Sequence, residues 1–143
     1  MKTRWTAAAL IAIALAVVAP SRAEPAAPHS AACVAALKTR AEPLAQRVRR
    51  GETAAEAQLL PVVRASFAFI GTVYKQGLDK AQADELMRRA ESSQAKLPPA
   101  EATRLQDACQ AEGQQLLAQA NPFERGLVER AAESRIERLR KAS

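Results

Sequence analysis

The chain has 143 residues and a formal net charge of +6, from 21 basic and 15 acidic side chains. One Trp, one Tyr and three Phe are its only aromatic residues, so a nucleic-acid surface that stacks bases has few side chains available. The single histidine, His29, lies beside prolines in a segment predicted to be a mobile leader, so we expect neither a His-based triad nor a multi-histidine zinc site on a rigid scaffold. We also expect no metal, no cofactor and no nucleic-acid partner.

The first 23 residues have the three zones of a secretory signal peptide. Lys2 and Arg4 precede an uninterrupted apolar run over residues 7–18, and the small residues that follow end at Ala23, after which we predict cleavage. The apolar run is shorter than the about 20 residues that cross a bilayer, so we expect no stable membrane anchor after cleavage. The protein is therefore expected to be periplasmic or secreted, and its richness in alanine and arginine is typical of high-GC bacteria.

Cleavage would leave 120 residues, enough for one domain with a modest core. It would also remove three basic residues, so that 18 basic and 15 acidic residues give a formal charge of +3. Residues 24–29 contain two prolines and are expected to form a flexible leader. Residues 30–143 are rich in strong helix formers and show no strand-like alternation, which predicts a single all-α domain, an antiparallel bundle of four to five helices.

The first two helices are predicted from apolar spacing and from the residues at their ends. Helix 1 would cover residues 30–50, kinked or split by Pro43, and Gly51 would end it in the left-handed conformation. Thr53 and Glu56 have the capping-box spacing for the start of helix 2. The expected centre of the core is an apolar stripe on helix 2: Leu60, Val63, Phe67, Ile70 and Tyr74.

A tight turn is predicted between helix 2 and helix 3. Gly77 can end helix 2, and Asp79, with Gln82 three residues later, can cap the next helix. Helix 3 would then return antiparallel to helix 2 and present this apolar stripe: Ala83, Leu86, Ala90 and Leu97.

Prolines mark the starts of the last two helices. Pro98 and Pro99 end helix 3 and begin helix 4, because proline is accommodated in a first turn. Asn121 is a good N-cap before Pro122, and helix 5 would run to about residue 141. Helix 4 would bury this face: Ala102, Leu105, Cys109, Leu116 and Ala120.

The two cysteines, Cys33 and Cys109, lie on apolar faces of helices 1 and 4. In an exported chain they are expected to form an inter-helix disulfide. The alternative is a redox-active or metal-binding pair, but the chain has no Cys-x-x-Cys motif and no evident further ligands. His29, the single histidine, is expected to be a mobile residue of the leader.

Acidic residues recur on helix 5 without the pattern of a catalytic pair. Glu129, Glu133 and Glu137 follow one another by four among several arginines, which is typical of a solvated, ion-paired face. The chain also lacks a glycine-rich phosphate loop and a nucleophile elbow. We therefore expect a protein that is not an enzyme.

Two features exceed what a minimal bundle requires. Phe69 and Val73 form a second apolar stripe on helix 2, which either is buried among several neighbours or forms a groove for an apolar partner segment. Helix 5 is amphipathic and either packs on the bundle or detaches to bind a partner protein or an anionic surface, although its glutamates argue against lipid and nucleic acid. Its candidate contact residues are Phe123, Arg130 and Ile136.

These features predict a noncatalytic, disulfide-bonded helical protein of the cell envelope that acts by binding, as an adaptor or an inhibitor of one envelope protein. One alternative is a periplasmic chaperone, or holdase, for unfolded or apolar client segments. Another is a carrier of a small apolar ligand. The sequence leaves the partner and the oligomeric state open.

Overall fold

The computed structural model describes residues 24–143, which form five α-helices and no strand. The predicted signal peptide, residues 1–23, lies outside the described residues. The helices are α1 (Ala27–Arg49), α2 (Thr53–Lys75), α3 (Lys80–Gln94), α4 (Pro99–Gln119) and α5 (Pro122–Lys141). The predicted all-α bundle is confirmed.

The antiparallel pair of α1 and α2 forms the centre of the bundle. Buried side chains extend from Ser30 to Val48 on α1 and from Ala55 to Thr72 on α2. α4 packs on both helices, α5 packs on α2 and α1, and α3 packs on α1. Many of the buried residues are alanines, which let two helix backbones approach closely but bury little apolar area each.

A disulfide joins Cys33 on α1 to Cys109 on α4, as the sequence predicts, with the two Cα atoms 5.2 Å apart. It closes a loop over a sequence separation of 76 residues. The loss of chain entropy in the unfolded state for a loop of this length corresponds to about 4.5 kcal/mol of stabilisation. That figure is comparable to the net stability of a small domain, so the bond compensates for a core of small side chains.

Several predicted helix ends are confirmed. Gly51 and Gly77 have φ angles of 83° and 73°, the left-handed conformation that glycine adopts without steric cost. The side chains of Asp79 and Asn121 each accept a hydrogen bond from the backbone N–H three residues later, so both cap the helix that follows.

The predicted capping box at Thr53 is wrong. Thr53 is the first residue of α2, Glu52 occupies the N-cap position, and no side chain caps this end. The Glu56 carboxylate instead accepts a hydrogen bond from Nε of Arg140 on α5, at 2.7 Å. A bidentate hydrogen-bonded pair with a guanidinium is stronger than a hydrogen bond from a neutral backbone N–H. The Glu56 carboxylate therefore pairs with Arg140 and does not cap the start of α2.

The start of α1 also differs from the prediction. The helix begins at Ala27, three residues earlier than expected, so residues 27–29 belong to the helix and not to a leader. Pro28 lies in the first turn, where a missing backbone N–H costs no hydrogen bond. Pro43 lies inside α1 and does not split it.

The buried face of α2 is rotated from the predicted stripe. Of the five predicted core residues only Val63 is buried, and Tyr74 is 76% exposed. Because α2 contacts α1, α4 and α5, its buried surface is broad and includes alanines that a stripe of large side chains omits. The residues buried on α2 are Ala55, Leu59, Val62, Val63, Ala65, Ala68, Phe69 and Thr72.

α2 is also long and apolar enough, by length and composition alone, to cross a membrane. Central helices of soluble bundles meet the same criterion. In this fold α2 contacts three other helices, which cover part of its apolar surface.

α4 crosses α2 at Gly113, where the two backbones are close. A Cβ atom on Gly113 would lie 2.6 Å from the Cβ of Ala65 and 2.9 Å from its carbonyl oxygen. Ala65 is fully buried, so its atoms have no free space to move into. Glycine is therefore required at this crossing for steric reasons.

We expect Gly113→Ala to lower the free energy of unfolding by about 1–3 kcal/mol, the usual cost of overpacking a core. Gly126→Ala is the matched control, because a Cβ there meets no atom within 4 Å. It should be neutral or stabilising by about 0.5–1 kcal/mol, since alanine favours a helix. Urea denaturation measures both changes, and a Gly113→Ala variant as stable as the parent would contradict the close approach of α2 and α4.

Candidate functional site

Two open apolar grooves border the C-terminal half of α2. The α3 groove, of about 420 Å³, lies between α1, α2 and α3. The α5 groove, of about 490 Å³, lies between α2, α4 and α5. Ile70 and Tyr74 line both, so the two grooves form one apolar surface divided by a ridge of α2.

The α3 groove exists because α3 packs loosely. α3 contacts mainly α1 and has no fully buried side chain. Part of its apolar stripe, Ala83 and Leu86, therefore faces a gap beside α2, and Met87 also lines the groove. Apolar lining residues of this groove are Val34, Val73, Leu78, Ala83, Leu86 and Met87.

The α5 groove holds the most exposed apolar side chains. Among residues 24–143, the exposed large hydrophobic residues are Tyr74 at 76%, Phe123 at 70% and Leu127 at 48%. All three line this groove. Singly exposed apolar residues are ordinary, but a concentration of them in one concave place is typical of a binding surface.

Charged groups at the rim of the α5 groove are paired with each other. Nζ of Lys75 lies 2.6 Å from a carboxylate oxygen of Glu124 and 3.4 Å from one of Glu24. The hydrogen bond from Lys75 holds the pKa of Glu124 below its ordinary value, and the bond to Glu124 raises the pKa of Lys75. At the α3 groove Lys80 pairs with Asp84 in the same way. Both rims therefore present little unpaired charge.

The five predicted contact residues separate into three groups. Val73 lines the α3 groove and Phe123 lines the α5 groove. Phe69 is fully buried and Ile136 is 5% exposed, so neither offers a contact surface. Arg130 is exposed on α5, and its Nε donates a hydrogen bond to a carbonyl oxygen of its own helix.

Sequence reasoning missed Tyr74 and Leu127 as surface residues. The apolar spacing of α2 predicts a core position for Tyr74, yet the residue lies on the last turn of α2 and is 76% exposed. One signal was available, since Tyr74 immediately precedes Lys75 and is three residues before Gly77, which ends the helix region.

α5 packs on the bundle. Ala132, Ile136 and Leu139, all in its C-terminal half, are buried. The Glu129 carboxylate pairs with Arg64 on α2, which adds a polar contact to the apolar one. The N-terminal half of α5 has no buried residue, and this half lines the groove.

A second cluster surrounds the disulfide. Nε2 of His29 lies 2.8 Å from a carboxylate oxygen of Glu112 and 3.8 Å from Sγ of Cys33. The His29 ring meets the edge of Phe69, with ring centroids 6.2 Å apart. The prediction that His29 belongs to a mobile leader is wrong, because the early start of α1 places it beside the disulfide.

Sequence reasoning also missed Glu112. The signal was in the spacing, since His29 is four residues before Cys33 and Glu112 is three residues after Cys109. Each spacing puts both residues on one helix face, and the disulfide brings the two faces together.

No protein-family model matches the chain, and neither a curated protein nor a solved structure matches it. The function is therefore inferred from the grooves, their charges and the disulfide.

Lys75→Met should make the protein less sensitive to acid. A carboxylate whose pKa is lowered on folding stabilises the fold fully above its ordinary pKa of 4.5, and this contribution is lost as the pH falls through the folded value. Without Lys75 the largest cause of the lowered pKa of Glu124 is removed, so less stability is lost between about pH 6 and about pH 3. The raised pKa of Lys75 has the opposite sign, and its contribution is lost as the pH rises from 10.5 through the folded value.

The free energy of unfolding of the parent and the variant, measured at about pH 6 and about pH 3, tests this expectation. The measurements are made at low salt, because salt screens an exposed ion pair. Lys96→Met is the control, since Lys96 lies on the exposed connection after α3. Equal acid sensitivity of the parent and Lys75→Met would show that the Lys75–Glu124 pair does not hold α5 to α2.

Proposed function

We propose that the protein is a noncatalytic binding protein of the cell envelope, an adaptor or inhibitor whose two grooves bind an apolar segment of one partner protein. The observation that carries this proposal is the position of Tyr74, Phe123 and Leu127, which are all exposed in the α5 groove.

The disulfide supports a location in the cell envelope. A bond between Cys33 and Cys109 is favoured in an oxidising, non-cytoplasmic environment. The N-terminal sequence, with its basic start and short apolar run, supports export to the envelope. A partner that meets the protein there is another envelope or exported protein.

The shape of the grooves favours a chain segment over a small ligand. A carrier encloses most of its ligand's surface, whereas both grooves here are open to solvent and Tyr74 stands between them. A helix or an extended segment can contact both grooves by lying across the Ile70–Tyr74 ridge. The two grooves together then recognise more apolar surface than either alone.

The charges favour an apolar segment over a charged one. Lys75, Lys80 and their acidic partners are already paired within the protein, so a charged ligand would have to displace an existing ion pair. Binding would then depend mainly on buried apolar area and should respond weakly to salt.

A holdase is the alternative, because the same exposed side chains would bind many unfolded clients. The disulfide and the close packing of α1 and α2 favour a fixed surface, which suits one partner better than many. The range of proteins captured distinguishes these two functions.

We expect photoreactive residues at positions 74 and 123 to crosslink one dominant envelope protein in living cells. A photoreactive residue at position 46 is the control, because Gln46 is exposed near the C-terminal end of α1, away from both grooves. Tyr74→Ser should weaken binding of the captured protein, while Tyr74→Phe should preserve it, since the ring supplies the apolar contact.

Both Tyr74 variants should unfold at the same denaturant concentration as the parent, because the side chain is 76% exposed. A broad set of unfolded proteins captured at positions 74 and 123 would favour the holdase. Equal capture at position 46, or full binding by Tyr74→Ser, would overturn the proposed role of the grooves.

A further inference from the structure

Four potential metal ligands meet where α1 packs against α4. His29 and Cys33 come from α1, and Cys109 and Glu112 come from α4. The ligand atoms of His29, Cys33 and Glu112 lie within 4.8 Å of one another, and Cys109 is bonded to Cys33. An imidazole, a carboxylate and two sulfurs are the donor types that zinc prefers.

The spacing of these atoms fits a tetrahedral zinc site. Zinc–ligand distances of about 2.0–2.3 Å place the donor atoms of such a site about 3.3–3.8 Å apart. Nε2 of His29 lies 3.8 Å from Sγ of Cys33 and 2.8 Å from the Glu112 oxygen. Small side-chain rotations therefore suffice for these three atoms, whereas the two sulfurs must first be freed from their covalent bond.

We propose that reduction of the Cys33–Cys109 disulfide creates a Zn²⁺ site held by His29, Cys33, Cys109 and Glu112. In the first step a dithiol reductant transfers two electrons and two protons, so the disulfide becomes two thiols and the dithiol becomes a disulfide. In the second step Zn²⁺ binds, and the two thiols release two protons as they become thiolate ligands. Oxidation of the thiolates by a disulfide-forming oxidant reverses the sequence and releases the metal.

The surroundings of the cluster support this assignment. The side chains of His29 and Glu112 are 48% and 37% exposed, so the ion can reach the cluster from solvent. The sulfurs are buried, with Cys33 at 0% and Cys109 at 1% exposure, which shields bound metal from competing water. The edge contact between the His29 and Phe69 rings restricts the orientation of the imidazole.

The site also fits the energetics of the fold. Loss of the disulfide removes a link between α1 and α4, and a zinc ion on the same four residues would restore a link between the same two helices. Metal binding to the reduced chain should therefore recover part of the lost stability. This inference is independent of what the grooves bind.

The test uses the purified protein with Co²⁺ as a spectroscopic probe for zinc. The disulfide is reduced with a phosphine, which adds no thiol ligand, and Co²⁺ is titrated under nitrogen. We expect thiolate-to-cobalt charge-transfer absorption and the visible bands of tetrahedral Co²⁺, which equimolar Zn²⁺ displaces. The disulfide-bonded protein should show none of these bands.

Four variants identify the ligands. Cys33→Ser and Cys109→Ser should lose the charge-transfer intensity of one thiolate each. His29→Ala and Glu112→Gln should weaken Zn²⁺ binding by more than the about 10–100-fold that loss of an outer contact costs. Glu101→Gln is the matched control, because Glu101 is an exposed carboxylate in the first turn of α4.

Folding is monitored separately, because the reduced protein is less stable. His29→Ala and Glu112→Gln keep the disulfide when oxidised, and equal unfolding midpoints in that state would show an intact fold. Zn²⁺ should then raise the helical circular dichroism or the unfolding midpoint of the reduced parent. Equal Co²⁺ binding before and after reduction, unchanged binding by His29→Ala and Glu112→Gln, or no binding by the reduced parent would each overturn the proposal.

Discussion

Close packing of α1 against α2 through small side chains is the constraint on which the rest of the structure depends. Alanines such as Ala35, Ala36 and Ala45 are buried, so the two helices approach closely but bury little area per residue. Gly113 allows the same close approach between α4 and α2, where it lies against Ala65. A core of this kind is sensitive to any added atom and gains much from a covalent link.

The grooves follow from the way the outer helices attach to this centre. α3 is held mainly by α1, and the buried side chains of α5 all lie in its C-terminal half, so apolar side chains near the C-terminal end of α2 are left uncovered. Ile70 and Tyr74 lie on the part of α2 that neither helix covers. Capping at Asp79 and Asn121 fixes where α3 and α5 begin, and so fixes the position of the groove walls. The exposed apolar surface is thus a consequence of helix attachment as well as of composition.

α4 connects the two sites of interest. Cys109 joins it to α1 beside His29 and Glu112, and Leu117 near its end lines the α5 groove. The disulfide therefore stabilises the helix that forms one wall of the proposed binding surface. In a bundle with few large buried side chains, the same short segment contributes both to stability and to the chemistry of the cluster.

The sequence by itself determined the helices, most of their ends and the cysteine pairing, because these depend on local propensity, on proline and glycine, and on the presence of only two cysteines in the chain. Only the tertiary structure decided which faces are buried. Phe69 and Tyr74 are both aromatic residues of α2, yet one is fully buried and the other is 76% exposed. The two residues lie five positions apart and so on different faces of α2, and spacing along one helix carries no information about which face its neighbours cover. For the same reason, the meeting of His29 with Glu112, 83 residues apart, could not be read from either helix alone.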